Sequence, residues 1–365
     1  MVFILIPVFS IILSNDIFHS FVYYLLDLFL PFAYFFILVK SLKKLEDVKT
    51  FIYALIISVF IYEFFALYFM YQKGTAKDIT TGLYASGINT GFRPVLIPLI
   101  IPFQVALNRL LKGWKRIFVG LMLLIFITYL VLSNYRMGIV VILIGFIVFS
   151  YYYRITIAKK IYFLIAGLLG LVIFVLYSQE LYEKLLFFRF IETFQLLSRG
   201  EPLATISSER TSIWQSALEM IRDFPLFGIG PDMWSQYIPQ YSRTNYFHWD
   251  MSGNIIRYYE YDPHNLYMLV WLNYGILSFI CYVIILYMAI KRGIWNIKES
   301  SSNLTRTLSI ASLISLIIWV VSSLATVRFY DHGDLLYAII FWSIIGVILK
   351  LNEYNPTLKV QIAER

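Results

Sequence analysis

The stretch DPHNLYMLVWLNYGILSFICYVIILYMAI (262–290) passes within four residues from polar side chains into an unbroken apolar run. A helix rises about 1.5 Å per residue, so roughly 20 apolar residues cross a hydrocarbon core about 30 Å thick. The run 266–290 therefore reads as a membrane span entered at His264 and Asn265. Working outward, the same reading finds spans at 18–39, 51–71, 95–111, 117–133, 138–153, 161–177, 308–327 and 335–350. The opening MVFILIPVFSIILS (1–14) is shorter than a comfortable span and lacks the basic start and small-residue cleavage site of a signal peptide. It reads as a short or tilted first helix. The predicted fold is all-α, a polytopic membrane helix bundle of about ten spans, with one large helical loop at 178–265.

Composition agrees. The 365 residues are 60% hydrophobic and 14% charged, with a mean hydropathy of +0.73. A soluble domain has about 45–50% apolar and about 25% charged residues. The single cysteine, Cys281, lies inside a span, which excludes an intrachain disulfide and a thiolate metal cluster. A formal charge of +8 raises nucleic acid as a partner, but its distribution gives a better account.

Lys and Arg alternate between rich and poor connections. The rich set holds four at 40–49, four at 109–116, three at 154–160, four at 291–306 and three from Lys350 onward. The poor short loops hold only Lys73, Lys77, Arg93, Arg136 and Arg328. The rich side is expected to be cytoplasmic, with both termini inside and the 178–265 loop outside. The predicted division is a transmembrane bundle (1–177), an extracytoplasmic loop (178–265), and C-terminal helices with a cytoplasmic tail (266–365). The cytoplasmic face then carries twelve Lys and six Arg, and the external face three Lys, nine Arg and all four histidines. Arginine's planar fork matches phosphate or carboxylate oxygens, whereas lysine is a hydrated point charge. The external face therefore suits an anion held near the membrane, although loops also carry Arg for no special reason.

Within the loop, SSERTSIWQSALEMIRDFPLFGIGPDMW (207–234) reads as a helix capped by Ser207 or Ser208 and running to about Asp223. Ile213, Trp214, Ala217, Leu218 and Ile221 give it one apolar stripe, to lie on the membrane or pack on the spans. Arg210 falls in its first turn, where the positive helix end favours an anion. Pro225 ends the helix, and the glycines of LFGIGPDMW supply a turn. The aromatic residues Trp234, Trp249, Tyr237, Tyr241, Tyr246, Tyr258 and Tyr259 fit an interfacial belt or, alternatively, sugar-stacking platforms. Asp262 or Asn265 can cap the helix that follows, and His264 sits at the membrane edge in the range for proton transfer near neutral pH.

Pro94, Pro98 and Pro102 recur every four residues and predict a kinked or broken helix over 95–111, of the kind that lines a cavity. It follows the Gly-rich turn GLYASGINTGFR (82–93), which ends in Arg93. The tight connection LSNYRMG (132–138) leaves Arg136 at the membrane boundary, as an anchor or an anion ligand. Asp27 and Glu63 lie inside spans, where acidic groups are costly.

No nucleotide-binding Gly loop, HExxH or acidic metal pair is present. A membrane-surface anion under an amphipathic roof suggests a lipid diphosphate. A polyprenyl-diphosphate glycan carries its own leaving group and needs no metal when Arg side chains stabilise the departing diphosphate. A histidine can take the proton of the attacking hydroxyl.

The runs ERTSIWQSALEMIRDFPLFGIGPDMW (209–234) and DPHNLYMLVWLNYGILSF (262–279) resemble the signature of the O-antigen ligase and O-antigen polymerase superfamily. LSNYRMG resembles that family's S-x-R-G motif, with Asn134 and Tyr135 between Ser133 and Arg136, and ASG (85–87) a weaker upstream motif. The similarity covers roughly 80–350, with fewer predicted spans than the family's usual dozen or so. It implies a multi-pass glycosyltransferase of the bacterial inner (cytoplasmic) membrane, acting in lipopolysaccharide or other cell-envelope polysaccharide biosynthesis. It further implies an undecaprenyl-diphosphate-linked oligosaccharide donor, a glycan, lipid or protein acceptor, no cofactor, no metal, no nucleic acid, and inversion at the transferred sugar. By position, Arg136 and Arg210 would neutralise the diphosphate and His264 would act on the acceptor hydroxyl. Arg93, Arg189 and Asn265 are the further binding candidates. Competing readings are a repeat-unit polymerase of the same superfamily, a transporter of lipid-linked glycan, and a non-catalytic assembly protein.

Overall fold

The computed structural model describes residues 2–72, 96–132, 136–153, 198–200, 210–242, 247–249, 255–257, 262–300, 302–324 and 335–353. Each predicted span falls on a helix except 161–177, which lies outside the described residues. Among the described residues, three helical segments are long and apolar enough to cross a membrane: Ile17–Ser41, Leu266–Glu299 and Asn303–Ser322. Phe3–Ile12, Leu96–Leu110 and Val140–Tyr152 are apolar but shorter. The protein is thus a helical membrane protein with several candidate spans. The loop is not wholly helical, because Phe247–Trp249 pairs antiparallel with Ile255–Arg257, His248 facing Ile256.

The chain divides into two compact units. One comprises 1–38, 195–289 and 320–343. Its opening is a pair of short helices, α1 (Val2–Leu5) and α2 (Pro7–Ile12), with Pro7 where a helix start tolerates it. Residues 2–12 would rise only about 15 Å, half a hydrocarbon core. Asp16 then caps α3 (Ile17–Tyr24) by accepting the His19 amide at 2.9 Å. Tyr24 returns its hydroxyl to the carbonyl of Ile4 at 2.8 Å, tying the two arms together. A π turn (Leu25–Phe29) follows, burying Asp27, before α4 (Leu30–Ser41).

In the same unit the amphipathic helix of the loop is described over Arg210–Asp223. Ser207 and Ser208, its expected caps, lie outside the described residues. Its buried face is Ile213, Ser216, Ala217, Met220 and Ile221, while Leu218 is 51% exposed. The stripe is rotated from the expected one because it packs on the loop itself. Its partners are Ile229, Met233, Trp234, Tyr237 and Ile238, together with Leu272 of the helix Leu266–Glu299. Full burial of side chains this size contributes about 1.5–3 kcal/mol each. Trp234 and Tyr237 therefore serve this small core and not a membrane belt.

Leu266–Glu299 is not the uninterrupted span that its sequence suggests, because Gly275 sits at φ 78, ψ 175 inside it. The loop 225–230 docks there by its backbone. The amides of Ile229 and Gly230 donate to the carbonyls of Leu272 (2.7 Å) and Asn273 (3.2 Å), and Ile276 donates to the Pro225 carbonyl (3.0 Å). A Cβ on Gly228 would overlap the carbonyl of Leu272, and one on Gly275 that of Leu226. These glycines permit two main chains to touch, beyond shaping a turn.

The other unit comprises 39–194, 290–319 and 344–365. It contains Leu45–Gln72, Leu96–Leu110, Gly113–Leu132 and Arg136–Tyr152. The proline helix runs through Pro102 without breaking. Pro98 lies in the first turn, where no donor is lost, and Ser315 gives its hydroxyl to the carbonyl of Leu99 at 2.7 Å. Arg109 lies over the Tyr153 ring, 4.0 Å from its centroid.

Candidate functional site

The polar entry DPHN folds into a rigid hook. Asp262 Oδ1 accepts the backbone N–H of His264 at 2.6 Å and lies 3.0 Å from its ring Nδ1. His264 adopts φ 49, a left-handed backbone that non-glycine residues seldom take. Asn265 follows as the cap of the next helix, its Oδ1 accepting the amides of Tyr267 (3.0 Å) and Met268 (3.2 Å). Its Nδ2 donates to the Leu324 carbonyl at 3.3 Å, and the Leu266 amide donates to that of Ser323 at 2.9 Å. Tyr267 adds a bond from its hydroxyl to the Val320 carbonyl at 2.8 Å. The hook is thus anchored on the end of Asn303–Ser322, and Asn265 acts through its capping and anchoring bonds.

An ionised Asp262 can only accept, so Nδ1 of His264 carries a hydrogen and, in the neutral ring, Nε2 the lone pair. The ring is 36% exposed and Asp262 17%. The loop helix lies beside it, because Trp214 donates its indole N–H to the Pro263 carbonyl at 2.9 Å. Arg210 is one turn earlier on that face. It opens the helix half-buried and without an ion pair among the described residues. The first-turn amides of a helix add partial positive charge at that point. The hook thus holds an oriented imidazole and meets, through Trp214, a helix that opens on a cation, two features that suit a proton acceptor and an anion.

Of the sequence candidates, the structure brings His264, Asn265 and the helix begun by Arg210 into one unit. Arg136 opens Arg136–Tyr152 by its main chain, but its side chain lies outside the described residues, as do Arg93 and Arg189 entirely. Sequence reading missed the hold of Asp262 on His264, although a residue two before a histidine is a recurrent place for such a bond. It also missed Trp214, whose polar edge gave no signal inside an apolar stripe.

The loop is braced further by Tyr241, whose hydroxyl donates to Asp223 at 2.7 Å. Burial, this bond and the Asp223 charge push the Tyr241 phenol up to about 12, and burial raises Tyr237. Among the described residues no three His, Cys, Asp or Glu side chains gather as metal ligands.

No curated protein and no solved structure matches the chain. A family model described as O-antigen ligase matches residues 121–283. That stretch runs from before Arg136 through the loop helix, the glycine turn and the DPHN hook, and past the break at Gly275. Over residues 121–283, just under half of the chain, the protein is similar to the O-antigen ligase family.

Proposed function

We propose that the protein transfers a glycan from a polyprenyl diphosphate, such as undecaprenyl diphosphate, onto an acceptor hydroxyl at the extracytoplasmic face of a bacterial cytoplasmic membrane. The acceptor is a glycan, lipid or protein. The observation that carries this reading is the left-handed His264, held by Asp262, with the helix that begins at Arg210 docked on the same hook through Trp214. The acceptor O–H gives its proton to Nε2 of His264 while its oxygen attacks the anomeric carbon. The bond from that carbon to the diphosphate breaks, and the lipid diphosphate leaves with the electron pair. Attack opposite the leaving group inverts the sugar. Arg210 neutralises the departing oxygens, and in this reading Arg136, Arg93 and Arg189 are the further positive charges assigned to the donor. Charge compensation by arginine makes the step metal-independent. A polymerase would use the same chemistry with a repeat unit as acceptor, whereas a transporter of lipid-linked glycan would need no base.

The test is transfer from a purified lipid-linked donor by the detergent-solubilised protein. His264→Ala and Arg210→Ala should each lower turnover about a hundredfold or more, and a chelator should leave the wild type unaffected. Unchanged turnover in both variants would remove the catalytic assignment.

A further inference from the structure

His19, Tyr23 and Asp27 recur at four-residue steps along α3 and its π turn, which sets them on one face. Asp232 of the GIGPDMW segment meets that face. Its Oδ2 lies 2.9 Å from His19 Nε2, and its charge lies near enough to the Tyr23 hydroxyl to act on it. Asp27 lies behind, 2% exposed, with no hydrogen-bond partner among the described residues, and couples electrostatically to Asp232 and Tyr23. The His19 and Tyr23 rings stand 4.6 Å apart between centroids. His19 is 37% exposed and Asp232 25%, so the group opens to solvent above a buried carboxyl floor.

Asp232 holds φ 58, a strained backbone for a residue other than glycine. A buried, unbonded carboxyl is also costly. Both costs fall at one place that the transfer chemistry does not use. Docking the N-terminal hairpin on the loop requires neither, since Ser20 already donates to the Pro231 carbonyl at 3.3 Å and Gly230 packs against Ser14 and Ser20. An ionised Asp232 only accepts, so Nε2 of His19 bears the hydrogen. In the neutral ring Nδ1 then carries a lone pair, and it has no partner among the described residues.

We propose that His19 and Asp232, over Asp27, form a subsite for a glycan hydroxyl: the hydroxyl donates to Nδ1 of His19, and the paired rings of His19 and Tyr23 bear the sugar's apolar face. The inference rests on the glycan-transfer reading and names where a sugar is gripped apart from the reacting atoms. The sugar belongs either to the acceptor or to the donor's glycan. Both present the same hydroxyl chemistry.

The experiment uses the full chain in lipid nanodiscs. Saturation-transfer NMR is run with free glucose, galactose, rhamnose and N-acetylglucosamine, and donor kinetics with undecaprenyl-diphosphate-linked N-acetylglucosamine. His19→Ala should weaken the free-sugar signal about tenfold, the loss of one good hydrogen bond. Asp232→Asn should lose less, because asparagine tolerates the left-handed backbone and keeps an oxygen for Nε2. Ser20→Ala should behave as wild type. If the subsite holds the donor's glycan instead, free sugars stay silent and the donor KM rises about tenfold in His19→Ala at constant kcat. An unaltered sugar signal and unaltered KM in His19→Ala overturn the proposal, as does an equal loss in Ser20→Ala, which marks a mere latch. His264→Asn should keep the sugar signal while losing turnover. A wild type that binds sugar without ever transferring it defeats the transfer reading and leaves the subsite standing.

Discussion

At the residue scale, His264 holds a backbone conformation that costs an ordinary L-residue about 1–2 kcal/mol, and Asp262 meets that cost with bonds to both its amide and its ring. Two substitutions separate backbone from imidazole. His264→Asn keeps a residue at ease in this conformation but removes the ring. Its melting temperature should match wild type while turnover falls about a hundredfold or more. Asp262→Ala frees the ring and the turn together. It should lower turnover about tenfold and stability by about 1 kcal/mol, read by transfer assay and thermal melt. The candidacy of His264 and Arg210 was legible because chemistry-bearing side chains are rare in so apolar a chain. The roles of Trp214 and Asp232 were not, because each depends on a partner distant in sequence: Pro263 for one, His19 for the other.

At the element scale, the break in Leu266–Glu299 and the turn 225–230 are one feature, since each supplies the other's missing backbone partners. Gly275 gave little warning in the sequence, because glycine is frequent in membrane helices. Gly275→Ala combines an incompatible φ with overlap on the Leu226 carbonyl. It should destabilise the protein by about 1–3 kcal/mol or more, seen as a lower melting temperature and loss of transfer. The helix Trp234–Tyr241 is tied to the end of Arg210–Asp223 by Tyr241, whose phenol is pushed from 10.0 up to about 12. A raised pKa means that the fold favours the neutral phenol. Its contribution is fully present below pH 10 and is lost as pH climbs through about 12. The stability difference between wild type and Tyr241→Phe should therefore be constant up to pH 10 and shrink across this window, measured by melts over a pH series.

At the scale of the whole molecule, the arrangement of charge carries the argument. Hydropathy alone located the helices, since a bilayer forces any apolar run of sufficient length to satisfy its own backbone. It could not locate the hairpin pairing of Phe247–Trp249 with Ile255–Arg257, whose short strands have no periodic signature. The lysine-rich and arginine-rich connections are expected to face opposite sides of the membrane, and that expectation has a direct test. Cys281 is the only cysteine, so Cys281→Ser alone gives a cysteine-free background. Gln236, exposed on the loop helix Trp234–Tyr241, and Lys298, exposed near the end of Leu266–Glu299, lie in connections of opposite charge character. With Gln236→Cys, a membrane-impermeant maleimide should label intact spheroplasts. With Lys298→Cys, the same reagent should label only after lysis. The reverse pattern would put the Arg210–His264 site in the cytosol, where soluble nucleotide sugars are available and a lipid diphosphate is no longer the donor that the location favours.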